Sequence, residues 1–484
     1  MSKSETCSVL IVGGGFAGLE LAYRLDIAGV DGVVVLEQGP DSDFARHNNI
    51  AMSSRQALEA WLGYDRDPRF RQSWMSARPP HYSSGSGERA VLGGRSLYWY
   101  GVCLPLEEWA LADWPEDVRR ALHGSPSQAG FYAKVQREIV PVLDDEKVSF
   151  ADFELRQTPR ARWGLGDGRW YAYSPLDHWR HPVSGECRMN VPATDIRTGV
   201  RVTKIRVVDD RAVGVDYVQA DGEVGSMEAG TIVLAAGTIP GAALAHAALG
   251  SVHDLGGLSD HIVQGFWARV TGSASHSLEH SLPVGSWWCA DATNRFNVFV
   301  EVERDGEDLV LDVRATGEQE RCGGNSVRPG SPLPVVTARL SARDHALVHE
   351  QRVALERFWQ SVQEAADLPL GTLSYPDYEE QHRGNAALVD GTIGVLPANK
   401  AVAWSSFLGT EDHESGTLAI GSVVDNDLQF IDVDGLYATG PCVFPRAGAA
   451  NPSLTTLALT RRLALEIVRR VRSGEQDFSE GGEA

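Results

Sequence analysis

The sequence predicts a two-part α/β protein, in which a Rossmann-type domain with parallel strands carries an α+β domain on a mainly antiparallel sheet. Three observations predict it. A buried apolar strand, Ser8–Val12, runs straight into a glycine-rich turn and a helical stretch, Leu19–Ile27, followed by a second apolar strand, Val33–Leu36. Segments of the same buried character return late in the chain, at Thr231–Ala236 and Asp432–Ala438. Between them, from about Gly265 to Leu370, Phe296–Val302, Leu309–Arg314 and Val335–Leu340 alternate as strands, and Asp344–Ala366 has the spacing of a long amphipathic helix. A chain of 484 residues is too long for one ordinary core, so two domains sharing an interface are expected.

Composition bounds the partners. Apolar residues make up 43% and charged residues 23%, which is globular, and the formal net charge of -21 repels phosphate backbones and anionic lipid. Nucleic-acid partners are therefore not expected. No apolar run reaches the roughly 18 residues of a membrane span, and the polar start suggests no signal peptide. Six scattered cysteines (Cys7, Cys103, Cys187, Cys289, Cys322, Cys442) have no metal-like spacing, so no metal site and a reduced, cytoplasmic setting are expected. Only five of the 44 basic residues are lysine, a coding habit of GC-rich bacterial genomes.

The opening turn carries the first chemistry. In Val12-Gly13-Gly14-Gly15-Phe16-Ala17-Gly18, Gly13 permits the tight turn, Gly15 lets a pyrophosphate approach the backbone, and Gly18 lets helix and strand pack closely. Glu37 ends the second strand, where a carboxylate bonds adenosine ribose hydroxyls. Val200–Val208 and Ala212–Val218 read as a hairpin. Val202 lies in a strand resembling the one whose main chain pairs with adenine in two-dinucleotide-domain flavoproteins, and Thr231–Gly237 resembles their second glycine-ended strand, with Ala236 and Gly237 at the cofactor. In this order the motifs favour FAD over NAD.

With these residues the chain is identified as resembling the glucose–methanol–choline (GMC) oxidoreductases. The matched stretches are the opening fingerprint, Leu92-Gly93-Gly94-Arg95-Ser96, Ala235-Ala236-Gly237, Leu258-Ser259-Asp260-His261, His413-x-x-Gly416-Thr417 and Asn451-Pro452-x-x-Thr455. The resemblance implies an FAD-binding Rossmann-type domain, as in GMC enzymes and p-hydroxybenzoate hydroxylase, with an α+β substrate domain. The expected division is 1–150, 186–264 and 396–472 for the FAD-binding parts, 151–185 for a substrate-domain or lid segment, 265–395 for the substrate domain, and 473–484 for a flexible acidic tail.

For the reaction, the resemblance implies oxidation of an alcohol, with hydride leaving carbon for flavin N5 while His413 takes the hydroxyl proton. Asn451 would hold the substrate oxygen, and also lies beside the cofactor with Pro452. Pro452 fits the first turn of a helix whose positive end favours charge on the reduced flavin. Gly93, Gly94 and Ser96 are expected at the cofactor. Gly440 is expected there too, where the family often has Asp. His261 matches a family position that usually serves structure. Gly93–Trp99 is similar to the Gly-Gly-x-Ser-Thr-His-Trp stretch of pyranose oxidases, and Tyr98 stands where their flavin-linked histidine would be, so the FAD is expected to be non-covalent. This stretch favours a sugar, glycoside or hydroxylated natural product as substrate, with O2 or a soluble compound as electron acceptor. Trp287, Trp288 and Tyr98 could stack on substrate or serve packing. Two alternatives stay open: a GMC-fold lyase with a structural flavin, and a flavin-binding protein without turnover.

Overall fold

The computed structural model describes residues 5–41, 69–77, 87–141, 146–164, 170–180, 194–250, 255–375, 396–405, 408–409 and 411–480. Cys187 and the last four residues of the expected tail lie outside these ranges. The first sheet begins with β1 (Glu5–Val12), α1 (Phe16–Ile27) and β2 (Val33–Leu36). Val9–Val12 and Val33–Leu36 are buried on both faces, as parallel strands covered by helices require. Each such side chain contributes about 1.5–3 kcal/mol on leaving water.

The second sheet opens with β3 (Lys147–Phe150) and β4 (Phe153–Gln157). The chain then returns to the first sheet with β5 (Asp195–Arg197), β6 (Val200–Val208), β7 (Arg211–Gln219) and β8 (Val224–Leu234), followed by α2 (Thr238–Leu249). β9 (His261–Val270), β10 (Gly285–Asp291), β11 (Phe296–Asp305) and β12 (Asp308–Glu318) rejoin the second sheet, followed by α3 (Ala342–Ala365) and β13 (Lys400–Ser405). β14 (Leu436–Ala438) and α4 (Ser453–Glu480) close the first domain.

The first sheet has the order β5-β2-β1-β8-β7-β6, with β14 also beside β8. β5, β2, β1, β8 and β14 pair in parallel, and β6 and β7 are antiparallel. The second sheet, β13-β9-β12-β11-β10-β4-β3, is antiparallel throughout.

This second sheet draws strands from both sides of the expected borders. β3 and β4 straddle residue 150, β9 begins before residue 265, and β13 lies beyond residue 395. Val335–Thr337 instead leaves the main sheet and pairs with Ser326–Arg328 and Met75–Ser76. Helix α3 starts where a capping box stops fraying: Ser341 Oγ accepts from the Asp344 amide (3.1 Å), and Asp344 Oδ2 accepts from the Ser341 amide (2.8 Å). It packs on the sheet and is keyed to it by Gln351 Nε2, which donates to the Ile262 carbonyl (2.8 Å). Helix α4 is anchored on α1 by the buried Glu20, which binds Arg461 Nε at 2.6 Å and accepts the Tyr173 hydroxyl at 2.8 Å. That anchor fixes the helix whose first turn follows Asn451. Beyond Arg472 the helical backbone continues to Glu480. No helix among the described residues is long and apolar enough to cross a membrane.

Candidate active site

A cavity of about 1100 Å³ runs from the ends of the parallel strands to the face of the antiparallel sheet. It exceeds the roughly 300–1,000 Å³ of ordinary ligand clefts, leaving room for a dinucleotide and a second small molecule. Gly13, Gly15, Phe16, Ala17, Glu37, Gly94, Ser96, Val202, Ala236, Gly237, Gly440, Asn451, Pro452 and His413 all line it. Gly18 and Gly93 shape its wall from behind. At Gly18 a Cβ would stand 1.9 Å from the Gly13 carbonyl oxygen, and Gly13 itself turns at φ +106° against Ala235. Gly93 donates to the Gly14 carbonyl at 2.8 Å, clamping its loop on the fingerprint.

Two features of this end fit a bound dinucleotide. A Cβ on Gly15 or Gly237 would project into open space, so the backbone at the N-termini of α1 and α2 is bare to a phosphate. Glu37 is buried and accepts one amide on each oxygen, from Gly14 (2.8 Å) and Gly39 (2.7 Å), which leaves lone pairs for ribose hydroxyls. Burial lifts its carboxyl to about 7, a cost that hydroxyl donors would relieve. Val202 lies where the β6–β7 register shifts, at the cavity rim.

The far end carries the titratable groups. His413 Nε2 faces Asn451 Nδ2 at 3.2 Å, and His413 Nδ1 faces His261 Nδ1 at 2.9 Å. Asn451 Oδ1 is buried and has no hydrogen-bond partner among the described residues, an acceptor left over for a ligand. His261 is buried beneath His413, and its other contact is the Gly448 backbone. With the Asn451 amide donating to Nε2, the proton of His413 must sit on Nδ1 and point at His261. His261 then donates from Nε2. Burial, then His261, Arg95 and Arg314, hold His413 well below the ordinary histidine pKa, and burial takes His261 to about 4, so both imidazoles are neutral near pH 7.

Backbone pairing explains why two histidines so far apart in sequence meet. Ser259 and Ser415 exchange amide–carbonyl bonds at 3.1 and 2.8 Å, zipping the strand before His261 to the loop after His413. Asp260 Oδ1 accepts the His261 amide at 2.7 Å. Arg95 pairs with Asp412 (3.1 Å) and Glu414 (3.0 Å through Nη2), and Thr238 Oγ1 donates to the Glu414 carbonyl at 2.6 Å. Residues on both sides of His413 are thereby tied to the Gly93–Ser96 loop and α2.

The remaining wall is the antiparallel sheet, with Trp267, Trp404, Phe299, Glu301, Asp312 and Arg314 facing the cavity. Tyr98 and Trp99 also line it. The Tyr98 hydroxyl accepts Arg69 Nη1 (3.2 Å), and Trp99 Nε1 donates to the Tyr173 carbonyl (2.6 Å). Trp287 and Trp288 are not on the wall, and Trp287 is buried, donating to the Pro283 carbonyl. The sequence reading set His261 aside and passed over Asp312 and Arg314. Ser-Asp-His was the signal for the first, whereas the other two look like ordinary charges in an alternating strand.

Comparison with known proteins agrees with this geometry. Residues 327–460 match the family model described as GMC oxidoreductase. No curated protein matches the chain. Among solved structures, pyridoxine 4-oxidase from Mesorbium loti is similar at 17% identity and a TM-score of 0.61, over 95% of this chain and 99% of that one. An R554K variant of formate oxidase from Aspergillus oryzae RIB40 is similar at 14% identity and a TM-score of 0.61, over 97% of this chain and 99% of that one. Residues 327–460 thus match the model of that family, on a chain whose fold is similar to those of both oxidases.

Proposed function

We propose that the protein oxidises a CH–OH group of a sugar, glycoside or hydroxylated natural product to a carbonyl, with His413 as general base. The observation that carries this reading is the placement of His413, with Nε2 paired to Asn451 and Nδ1 backed by His261 at the cavity wall. FAD, when bound, supplies the two-electron oxidant. It would be held by Gly13, Gly15, Glu37, Val202, Gly237 and the first turn of α4, and held non-covalently, since Tyr98 offers no histidyl link.

A substrate hydroxyl entering between His413 and Asn451 can donate to Nε2 while its oxygen accepts from Asn451 Nδ2. Because Nδ1 already carries the proton aimed at His261, Nε2 keeps the lone pair, and the substrate hydroxyl takes the place of the Asn451 amide on it. Uptake of the proton makes an imidazolium, and His261 Nδ1 then accepts a stronger, charge-assisted hydrogen bond. The oxidase names of both structural neighbours favour O2 as electron acceptor, and a soluble acceptor is the alternative. The scattered free cysteines fit a cytoplasmic enzyme.

The test is anaerobic. Purified FAD-loaded protein is mixed with a panel of alcohols, polyols and glycosides while the visible flavin band is recorded. Bleaching is expected. A yellow protein that converts substrate without bleaching would show a lyase with a structural flavin instead.

A further inference from the structure

We infer that Asp312 and Arg314 form a clamp that selects a neutral substrate with adjacent hydroxyl groups. The inference rests on the proposed alcohol oxidation and names what the site reads on the substrate. Both residues project from the same face of β12 into the cavity. Asp312 stands opposite Trp267 on β9 and Glu301 on β11, and Arg314 opposite Gly265 and Phe299.

Asp312 Oδ2 accepts from Arg314 Nη2 at 2.7 Å, yet Asp312 Oδ1 and Arg314 Nε have no hydrogen-bond partner among the described residues. The Asp312 side chain is only 10% exposed. One ion pair therefore holds an acceptor and a donor that no described residue satisfies. Buried polar atoms are rarely left unpaired without a use, because each forfeits the hydrogen bonds it would make in water.

The neighbours narrow the ligand. Trp267 and Trp404 stack at 5.1 Å and 18°, giving an apolar platform beside Asp312. Gly265 makes room for it, since a Cβ there would stand 2.7 Å from the Trp404 ring. Arg160 binds Glu301, so each of the two ion pairs is neutral, and Arg162 and Glu303 on the cavity wall add one charge of each sign. A carboxylate ligand would meet Asp312 and Glu301, and an ammonium would meet Arg314 and Arg160. A hydroxyl both donates and accepts, so two adjacent hydroxyls match Oδ1 and Nε together, and a sugar's C–H face suits the tryptophan platform. Arg314 is also one of the charges acting on His413, which puts the clamp next to the base.

The experiment uses FAD-loaded wild type, Asp312→Ala and the isosteric Asp312→Asn. The concentration dependence of anaerobic flavin reduction gives Kd and the reduction rate constant separately. The ligands are methyl glucoside, its monodeoxy analogues, glucuronate, glucosamine and butanol. Asp312→Ala should weaken methyl glucoside by about 10- to 100-fold in Kd, the size of one hydrogen bond to a charged group, and leave butanol within about twofold. One monodeoxy analogue should lose the same factor in wild type and nothing further in the variant. Unchanged Kd for methyl glucoside in both variants, or tighter binding of glucuronate or glucosamine than of the neutral sugar, would overturn the clamp while leaving alcohol oxidation intact. If no alcohol bleaches the flavin, alcohol oxidation fails, and calorimetry with the same sugars decides the clamp. Asp312-dependent binding keeps it, and no binding removes it.

Discussion

Replacing His261 by Leu tests the tautomer argument directly. The substitution removes the acceptor 2.9 Å from His413 Nδ1 and fills the space with a side chain that makes no hydrogen bond. His413 then has two poor choices. It can keep its proton on Nδ1 and bury an unpaired N–H, at a cost of about 1–3 kcal/mol, or move the proton to Nε2 and lose the lone pair that accepts from substrate. The penalty shifts the tautomer balance toward Nε2–H, so the population of the reactive form falls by up to roughly the factor that energy represents, about 5- to 150-fold. The reduction rate constant, measured by anaerobic stopped flow, should drop by that amount. FAD content should not change, because His261 is not on the cavity wall. His261→Asn should recover part of the loss, since its Oδ1 can occupy about the position of Nδ1. Reduction within twofold of wild type in the Leu variant, or an Asn variant no better than Leu, would refute the reasoning.

Other expectations follow from the same geometry. Asn451→Ala should slow flavin reduction by about 10- to 1000-fold, the range for one lost hydrogen bond at a reacting centre, and an unchanged rate constant would remove Asn451 from the mechanism. Gly15→Ala should lower FAD affinity without lowering the Tm of the apoprotein, because its Cβ enters open space. Gly18→Ala should lower that Tm itself, its Cβ colliding with the Gly13 carbonyl, and equal behaviour of the two would contradict the cradle. For pH dependence, His413 is active when unprotonated and its folded pKa lies well below 6.5. The acid limb of kcat/KM should therefore fall below the ordinary histidine range, with activity retained as pH drops through 6.5; a limb at or above 6.5 would contradict a buried neutral base.

Much of the first domain was legible because local chemistry dictates it. Four consecutive buried residues before Gly13 and a carboxylate at Glu37 leave few other structures. The second sheet was only partly legible, since β4, which carries β3 with it as a hairpin, and β13 join it by pairing across gaps of more than a hundred residues, which no local period records. His413 and Asn451 were legible as motifs, whereas the His261–His413 contact depends on a bridge between Ser259 and Ser415. Asp312 and Arg314 were hidden for a related reason. Alternation in β12 shows that they share a face, but not that the face looks into a cavity rather than water.

Proton removal by His413 is the step on which the proposed alcohol oxidation depends most directly. The measurement is the anaerobic rate constant for flavin reduction in His413→Ala against wild type, each loaded with FAD and its FAD content determined first. Undiminished FAD content and reduction too slow to follow are expected. Full FAD content with reduction near the wild-type rate would contradict that role of His413, because another group would then be taking the proton.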